Sequence, residues 1–425
     1  MNKPFLTKLA DKFIFFSLLF LCLAIFLPVF FKSLAITIFA LSLVIAYLSK
    51  TYSLEKNFTL NYFNLTLVVL YLFYVIGMFW STDMKYGLFD LQVKLPLLIL
   101  PLLFLILPKH IMTKQTFWYC ALVFIGAMII SIFYSFTAGI IRSINNNTSV
   151  LTQITYTNLI SDCSYYAFCT CTAMILTYKI PLIKLFNIKS ISSCVIKYII
   201  FILIVVDVVF LESRSGFISL IIAIIYIVVD DFFLQKQKEA AAGMLIAFII
   251  ILFCLLNIEG INERYFGTIQ TANTYPGNNY TNTHISEQYH RMFVYKNIYK
   301  VIFKHPIYGV GTGDTKIAIK DLYTTAGNPF NRYLNAHNQF LQTTISLGVL
   351  GLIVLLCTFV MPLKRCIKQK DYFVIAILCI IGIGFMFESM LERNIGVYPF
   401  AVIYSLITFY LVIDNQNYPT NSPKE

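Results

Sequence analysis

The segment His337-Asn338-Gln339-Phe340-Leu341 opens a long apolar stretch that includes Gly348-Val349-Leu350-Gly351 and ends near residue 360. A helix needs about 20 apolar residues to cross a bilayer. The stretch therefore predicts a membrane-spanning helix with a titratable imidazole and an amide at its mouth. The glycines deeper in this helix allow a neighbouring helix or a lipid chain to approach closely.

The rest of the chain has the composition of an integral membrane protein. Its 425 residues are 59% hydrophobic and only 12% charged, and the mean hydropathy is +0.77. This is too little charge to cover a soluble globule. We predict an all-α fold, a polytopic transmembrane helical bundle of about twelve spans. The expected spans are residues 13–31, 34–49, 62–80, 95–107, 117–136, 159–177, 197–212, 217–230, 240–257, 338–360, 372–387 and 395–413.

The distribution of lysine and arginine predicts the orientation of the bundle. Alternate loops are rich in lysine, as in residues 179–197 and 364–370, whereas the loops between them hold few positive charges. By the positive-inside rule, the rich loops and both termini face the cytoplasm. The net charge of +12 follows from this topology. No nucleic-acid partner is expected, because such proteins concentrate their charge on one soluble face.

One hydrophilic segment is long, and it divides the chain into three parts. Residues 1–257 are predicted to hold the first nine spans, 258–336 a large periplasmic loop, and 337–425 the last three spans and a cytoplasmic tail. Within the loop, apolar residues recur at helical spacing from Ser286 until just before Pro306. This pattern predicts an amphipathic helix that lies on the membrane surface or closes over the bundle.

The glycine-rich run His305-Pro306-Ile307-Tyr308-Gly309-Val310-Gly311-Thr312-Gly313-Asp314 follows this predicted helix. A glycine-rich nucleotide loop normally follows a strand and opens a helix. We therefore predict a tight structural turn here. The ten cysteines lie mainly inside predicted spans, so they indicate neither a disulfide framework nor a metal site.

Arginine use is uneven. Of the seven arginines, only Arg365 falls in a predicted cytoplasmic loop. Arginine binds phosphate bidentately and stays charged, so an anionic ligand on the outer face is expected. Arg214, in the short break between two spans, is the main candidate because charges so close to the bilayer core are usually functional. The alternative is a structural ion pair between Arg214 and Glu212.

Two further positive charges lie in predicted outer segments. Arg291 belongs to the amphipathic helix, where the alternative is a solvated surface charge. Lys94 stands just before the apolar segment that begins at Leu95. It either adds a phosphate contact or extends along the apolar surface to reach water.

Taken together, four motifs resemble the signature of the O-antigen ligase and O-antigen polymerase family of membrane glycosyltransferases. They are His337-Asn338 followed, after nine intervening residues, by Gly-x-x-Gly; Ser213-Arg214-Ser215-Gly216; Arg291 followed by Tyr295; and the run His305-Pro306-x-x-Gly-x-Gly-x-Gly. The resemblance covers roughly residues 206–351, and the first half of the chain matches only in general character.

The resemblance implies an inverting glycosyltransferase of the bacterial inner membrane, with its active site on the periplasmic face. The donor would be a glycan on polyprenyl (undecaprenyl) diphosphate and the acceptor lipid A core. His337 would act as general base near neutral pH. Arg214 and Arg291 would stabilise the diphosphate leaving group, and Lys94 and Asn338 would bind the substrate. The predicted outer segments lack an Asp-x-Asp pair, so we expect no metal and no other cofactor. The expected partners are the two lipid-linked substrates and membrane lipids.

Two alternatives remain open from the sequence. Within the same superfamily, the chain could be a polysaccharide polymerase or a protein O-oligosaccharyltransferase. A secondary transporter or flippase would use Asp162 and Asp207 for ion coupling. It would also be expected to show internal repeats, which the halves of the chain lack, and it leaves the His337 motif unexplained.

Overall fold

The computed structural model describes residues 3–49, 61–146, 162–211, 213–236, 291–325 and 335–416, with residue 52 and separate short pieces between 239 and 257. These residues are helical or lie in turns and loops, and no β-strand occurs among them, which confirms the all-α prediction. The α-helices are α1 (Lys3–Leu23), α2 (Val29–Leu48), α3 (Tyr62–Ile76), α4 (Met84–Lys94), α5 (Pro96–Leu105), α6 (Lys114–Asn146), α7 (Cys163–Lys179), α8 (Leu182–Phe186), α9 (Ser190–Phe210), α10 (Arg214–Val229), α11 (Tyr299–Lys304), α12 (Thr315–Thr325), α13 (Gln339–Gln369), α14 (Tyr372–Phe387) and α15 (Asn394–Gln416).

Within these ranges, nine helical segments are long and apolar enough to cross a membrane, and α14 is a shorter apolar helix. The helices α4 and α5 together make one such segment, Met84–Leu105. The predicted span 159–177 corresponds to α7, whereas the predicted span 240–257 falls largely outside the described residues. The polytopic bundle is thus confirmed. The count of about twelve spans and the three-part division of the chain stay predictions.

Polar side chains mark where several of these helices begin. An N-cap side chain accepts hydrogen bonds from backbone N–H groups that the helix leaves unpaired. This role falls to Asn61, Asp83, Asp162, Ser213, Asn338 and Asp371. The polar breaks between apolar stretches therefore carry the signals that start the next helix.

The helix α7 lies in the centre of the bundle. Every residue from Tyr165 to Thr177 is buried, and α7 packs against α6, α9, α10 and α14. A helix enclosed by protein on all sides needs no lipid-facing apolar stripe. This explains why its sequence tolerates threonine and cysteine at positions that would otherwise face lipid.

The amphipathic helix closes over one end of the bundle. Residues 291–297 are helical, and α11 continues to Lys304, so the predicted end before Pro306 is confirmed. The predicted start at Ser286 lies outside the described residues. Val294 and Ile298 pack in a small second core with residues of α12 and α13. We call this end of the bundle the loop end.

The helix α13 is broken at Gly348, whose φ of +67° is not helical. The glycine-rich run supplies hydrogen-bond partners at the break, because Val310 N donates to Ile345 O at 2.8 Å and Val349 N donates to Pro306 O at 2.8 Å. A Cβ at Gly348 would lie 2.1 Å from Ile307 O. The close approach predicted for this glycine is therefore made by the loop, and not by a helix or a lipid chain.

The same run is also attached to α3 and α4. The Thr312 hydroxyl donates to Tyr74 O at 2.6 Å, and the Asp314 carboxylate accepts from the N–H groups of Thr82 and Asp83, both at 2.8 Å. The run is thus a structural loop, as the sequence predicted. It fixes the end of α3 to the break in α13.

Candidate active site

His337 sits in an unusual backbone conformation at the loop end. Its φ is +47°, in the left-handed region that residues other than glycine rarely occupy. Its N–H donates to Asn335 Oδ1 at 2.9 Å, and its carbonyl accepts from the Tyr295 hydroxyl at 2.9 Å. The residue is only 4% exposed. Such conformations persist where the surroundings enforce them and are common at functional sites.

The imidazole of His337 faces a carboxylate. His337 Nδ1 lies 3.4 Å from Glu388 Oε2, and the other oxygen, Oε1, forms an ion pair with Arg291 Nη2. Arg291 Nη1 also donates to Phe387 O at 3.3 Å. Glu388 therefore bridges the predicted base and one predicted diphosphate-binding arginine.

The environment of Glu388 keeps its carboxylate ionised. Burial by itself would raise the pKa of Glu388, but the interactions with the His337 imidazole and the positively charged Arg291 outweigh it, and the pKa lies below its usual value. An ionised carboxylate beside Nδ1 favours the tautomer with its proton on Nδ1, which leaves Nε2 as the nitrogen that can accept a proton.

Asn338 and Gln339 join the start of α13 to the last turn of α14 and to the segment that follows it. Asn338 Nδ2 donates to Met386 O at 3.0 Å, while its Oδ1 caps α13 by accepting from Leu341 N at 3.0 Å. Gln339 Oε1 accepts from Leu391 N at 2.7 Å. Asn338 thus positions the residues around Glu388, and its predicted contact with the substrate stays a prediction.

Arg214 lies at the same end of the bundle but outside this cluster. It is the first residue of α10 and is exposed. The preceding Ser213 Oγ lies 3.5 Å from Ser164 Oγ in α7, and α7 is capped by Asp162. Within the part of the chain that the structure describes, Arg214 forms no ion pair. Glu212 lies outside that part.

Lys94 is buried between two carboxylates, and its predicted contact with the donor phosphate stays a prediction. Its ammonium is fully buried, 2.5 Å from Asp90 Oδ1 and 2.9 Å from Glu392 Oε1. It also lies over the Tyr74 ring, 4.7 Å from the centroid. Lys94 therefore does not extend to the membrane surface. Its charge is balanced inside the protein.

The two acids of the transporter hypothesis occupy different places. Asp162 Oδ2 pairs with Arg393 Nη1 at 3.1 Å. Burial and the nearby charge of Glu388 raise the pKa of Asp162 to about 7, while Arg393 opposes the shift. Asp207 is buried in α9, beside Thr170.

Glu388 is the residue that sequence reasoning did not place in the site. The sequence does contain a signal for Glu388, since it directly follows the apolar stretch of residues 372–387. An acid so close to the bilayer core is costly and usually functional. The sequence could not predict its partners, because Arg291 precedes Glu388 by 97 residues.

The fold and this cluster define a polytopic membrane protein whose ionisable residues converge at one end of a helical bundle. Residues 199–356 match the family model described as O-antigen ligase. This match confirms that the chain resembles this family over residues 199–356. The segment includes Arg214, Arg291 and His337, while Lys94 and Glu388 lie outside it.

A relative with an assigned name supports the same family. A Rickettsia conorii protein provisionally named polysaccharide ligase is 27% identical over 140 residues, which cover 30% of this chain and 34% of that protein. The alignment therefore spans about a third of the length of the curated relative that the chain matches.

Proposed function

We propose that this chain is an inverting, metal-independent glycosyltransferase of the bacterial inner membrane. It moves a glycan from polyprenyl (undecaprenyl) diphosphate to lipid A core, as an O-antigen ligase does, on the periplasmic face. The observation that supports this most strongly is the cluster of His337, Glu388 and Arg291, two of whose members lie in the segment that matches the family. It combines a base, a carboxylate that orients the base, and a cation suited to phosphate.

His337 acts as the general base in this proposal. Because Nδ1 faces Glu388, Nε2 is the nitrogen that takes the proton from the acceptor hydroxyl. Glu388 holds the ring and stabilises the imidazolium that forms. A positioned general base typically contributes about 100- to 10,000-fold to the rate.

The arginines act on the leaving group. The acceptor oxygen forms a bond to the anomeric carbon from the face opposite the diphosphate, the bond to the diphosphate oxygen breaks, and the diphosphate leaves with the electron pair. Charge grows on the diphosphate in the transition state, and fixed cations stabilise it there. The guanidinium of Arg291 has five N–H donors, so a phosphate oxygen can share it with Glu388. Arg214, exposed at the start of α10, provides a second cation.

The test is a reconstituted transfer assay with purified protein, polyprenyl diphosphate glycan and lipid A core. The wild type should form product, and His337→Ala should lose about 100- to 10,000-fold in kcat. His305→Ala is the matched control, because His305 is an exposed histidine of the same loop end. It should keep near wild-type activity.

The same assay separates the alternatives. If the wild type lengthened the lipid-linked glycan, the chain would be a polymerase, and transfer to a protein hydroxyl would make it a protein O-oligosaccharyltransferase. Folded protein without transfer to any of these acceptors would contradict the proposal and favour the transporter. Chelation should leave turnover unchanged, and a large loss would contradict metal independence.

A further inference from the structure

A buried ionic cluster lies beside the candidate active site. The Lys94 ammonium, which is 0% exposed, contacts the carboxylates of Asp90 and Glu392, whose side chains are 5% and 11% exposed. The Tyr86 hydroxyl also donates to Glu392 Oε2, at 3.5 Å. Removing one partner of such a buried pair is strongly destabilising, since it leaves an uncompensated charge. The cluster therefore holds its elements tightly to one another.

The cluster joins α4 to the segment that carries Glu388. Glu392 ends a short 3₁₀ turn, Met390–Glu392, four residues after Glu388. The same segment is held by Gln339, which accepts from Leu391 N at 2.7 Å, and by the Tyr165 hydroxyl, which donates to Ser389 O at 3.3 Å. Lys94 and Arg291 form ion pairs with this segment, through Glu392 and Glu388 respectively.

We infer that Lys94 is a positioning residue, which acts through Glu392 to hold Glu388 against His337, and that it does not bind the donor phosphate. The inference rests on the proposed function for its catalytic consequence, but its structural consequence is independent of any activity. Lys94 lies on α4, outside the segment that matches the family. Its place in the site follows from the contact with Glu392, which lies 298 residues further along the chain.

Removing the ammonium of Lys94 should displace the segment that carries Glu388 and Glu392. In Lys94→Met, Asp90 and Glu392 remain next to each other in a low-dielectric environment without a counter-ion. They must then repel each other, take up a proton, or admit water. Each of these outcomes loosens the link between α4 and the turn at Met390–Glu392. The imidazole of His337, which is held from this side by Glu388, should become more accessible.

The experiment measures this accessibility directly. The full-length protein in detergent micelles is treated with diethyl pyrocarbonate, and the modification rate of His337 is read by peptide mass spectrometry against exposed His305 as the internal reference. Lys94→Met and Glu392→Gln should each raise the rate at His337 severalfold. The double variant should resemble the single variants, because all three remove the same link. Lys85→Met, at an exposed lysine of the same helix, is the matched control and should leave the rate unchanged.

Kinetics in the transfer assay distinguish a positioning role of Lys94 from a role in binding the donor phosphate. A positioning residue should lower kcat and leave KM for the donor near the wild-type value in both single variants. A phosphate ligand would instead raise KM for the donor in Lys94→Met alone. Should Lys94→Met fail to fold, Lys94→Arg and Glu392→Gln decide the question. Lys94→Arg keeps the charge and should label close to the wild type, whereas Glu392→Gln should not.

Two results would overturn the inference: an unchanged His337 modification rate in folded Lys94→Met and Glu392→Gln, or a rise in KM confined to the lysine variant. A wild type without transfer activity would refute the proposed function instead. The labelling rates would still show whether Lys94 positions the segment.

Discussion

At the scale of single residues, the site depends on which charges face each other. The sequence predicted separate roles for Arg291, as a diphosphate-binding residue, and for His337, as the general base. The structure places Glu388 between them. Because its pKa is lowered, Glu388 is ionised at neutral pH, where its carboxylate can hold the imidazole in place.

Glu388→Gln should lower kcat in the transfer assay. The physical reason is that the imidazole of His337 loses the carboxylate that faces Nδ1 and holds the ring in place. The value of kcat at saturating donor and acceptor measures this loss. The control is Asp371→Asn, which replaces the carboxylate that caps the other end of α14. An unchanged kcat would show that Glu388 does not act on His337.

The lowered pKa of Glu388 predicts how the stability of the protein depends on pH. Because the folded-state pKa of Glu388 lies below its value in the unfolded chain, its ionised form stabilises the fold at neutral pH. That contribution is lost as the pH falls through the lowered pKa. The difference in Tm between wild type and Glu388→Gln should therefore be present at pH 7 and shrink below about pH 4. A difference that grew on acidification would contradict the ion pairs seen here.

At the scale of elements, the loop end is organised by the break in α13. The glycine-rich run pairs with residues on both sides of Gly348 and also with the end of α3. Non-helical backbone at membrane depth requires such internal partners, since lipid offers none. The run therefore acts as a structural bridge from α3 to the half of α13 that begins beside His337.

Gly348→Ala should destabilise the protein and lower transfer activity. A Cβ would lie 2.1 Å from Ile307 O, and the φ of +67° strains any L-residue with a side chain. Thermal unfolding in detergent micelles measures the effect. Gly126→Ala is the matched control, because a Cβ there meets nothing within 4 Å, and alanine favours a helix interior by about 1 kcal/mol. An equal effect of both substitutions would contradict the role of the break.

At the scale of the whole molecule, orientation in the membrane remains a prediction of the lysine distribution. The proposed chemistry needs the loop end on the periplasmic side. Lys320 is exposed in α12 at the loop end, and Lys368 is exposed near the far end of α13. These two positions are suited to a test of orientation.

Lys320→Cys should react with a membrane-impermeant maleimide in intact spheroplasts, and Lys368→Cys only after lysis. The unsubstituted protein is the control for its own cysteines, among which Cys194 is exposed. Labelling is read as a mass shift of the purified protein. The opposite pattern of labelling would place the site in the cytoplasm and refute the use of a periplasmic donor.

The sequence by itself determined most of the bundle. A chain that crosses a bilayer must satisfy its backbone hydrogen bonds within each helix, so apolar length and polar breaks locate the described spans without knowledge of their neighbours. For the same reason, Asn338 and Arg214 could be placed at helix starts. The helix end before Pro306 was also predictable, because the residue before a proline is disfavoured in a helix.

Only the tertiary structure decided how the charges are used. Glu388 reaches Arg291 across 97 residues and Lys94 reaches Glu392 across 298, and no local pattern encodes such pairs. The sequence also did not predict the break at Gly348, because the hydrogen-bond partners at the break lie about forty residues earlier, in the glycine-rich run. Buried polar groups need partners in space, and which groups become neighbours in space is set by the packing of the helices.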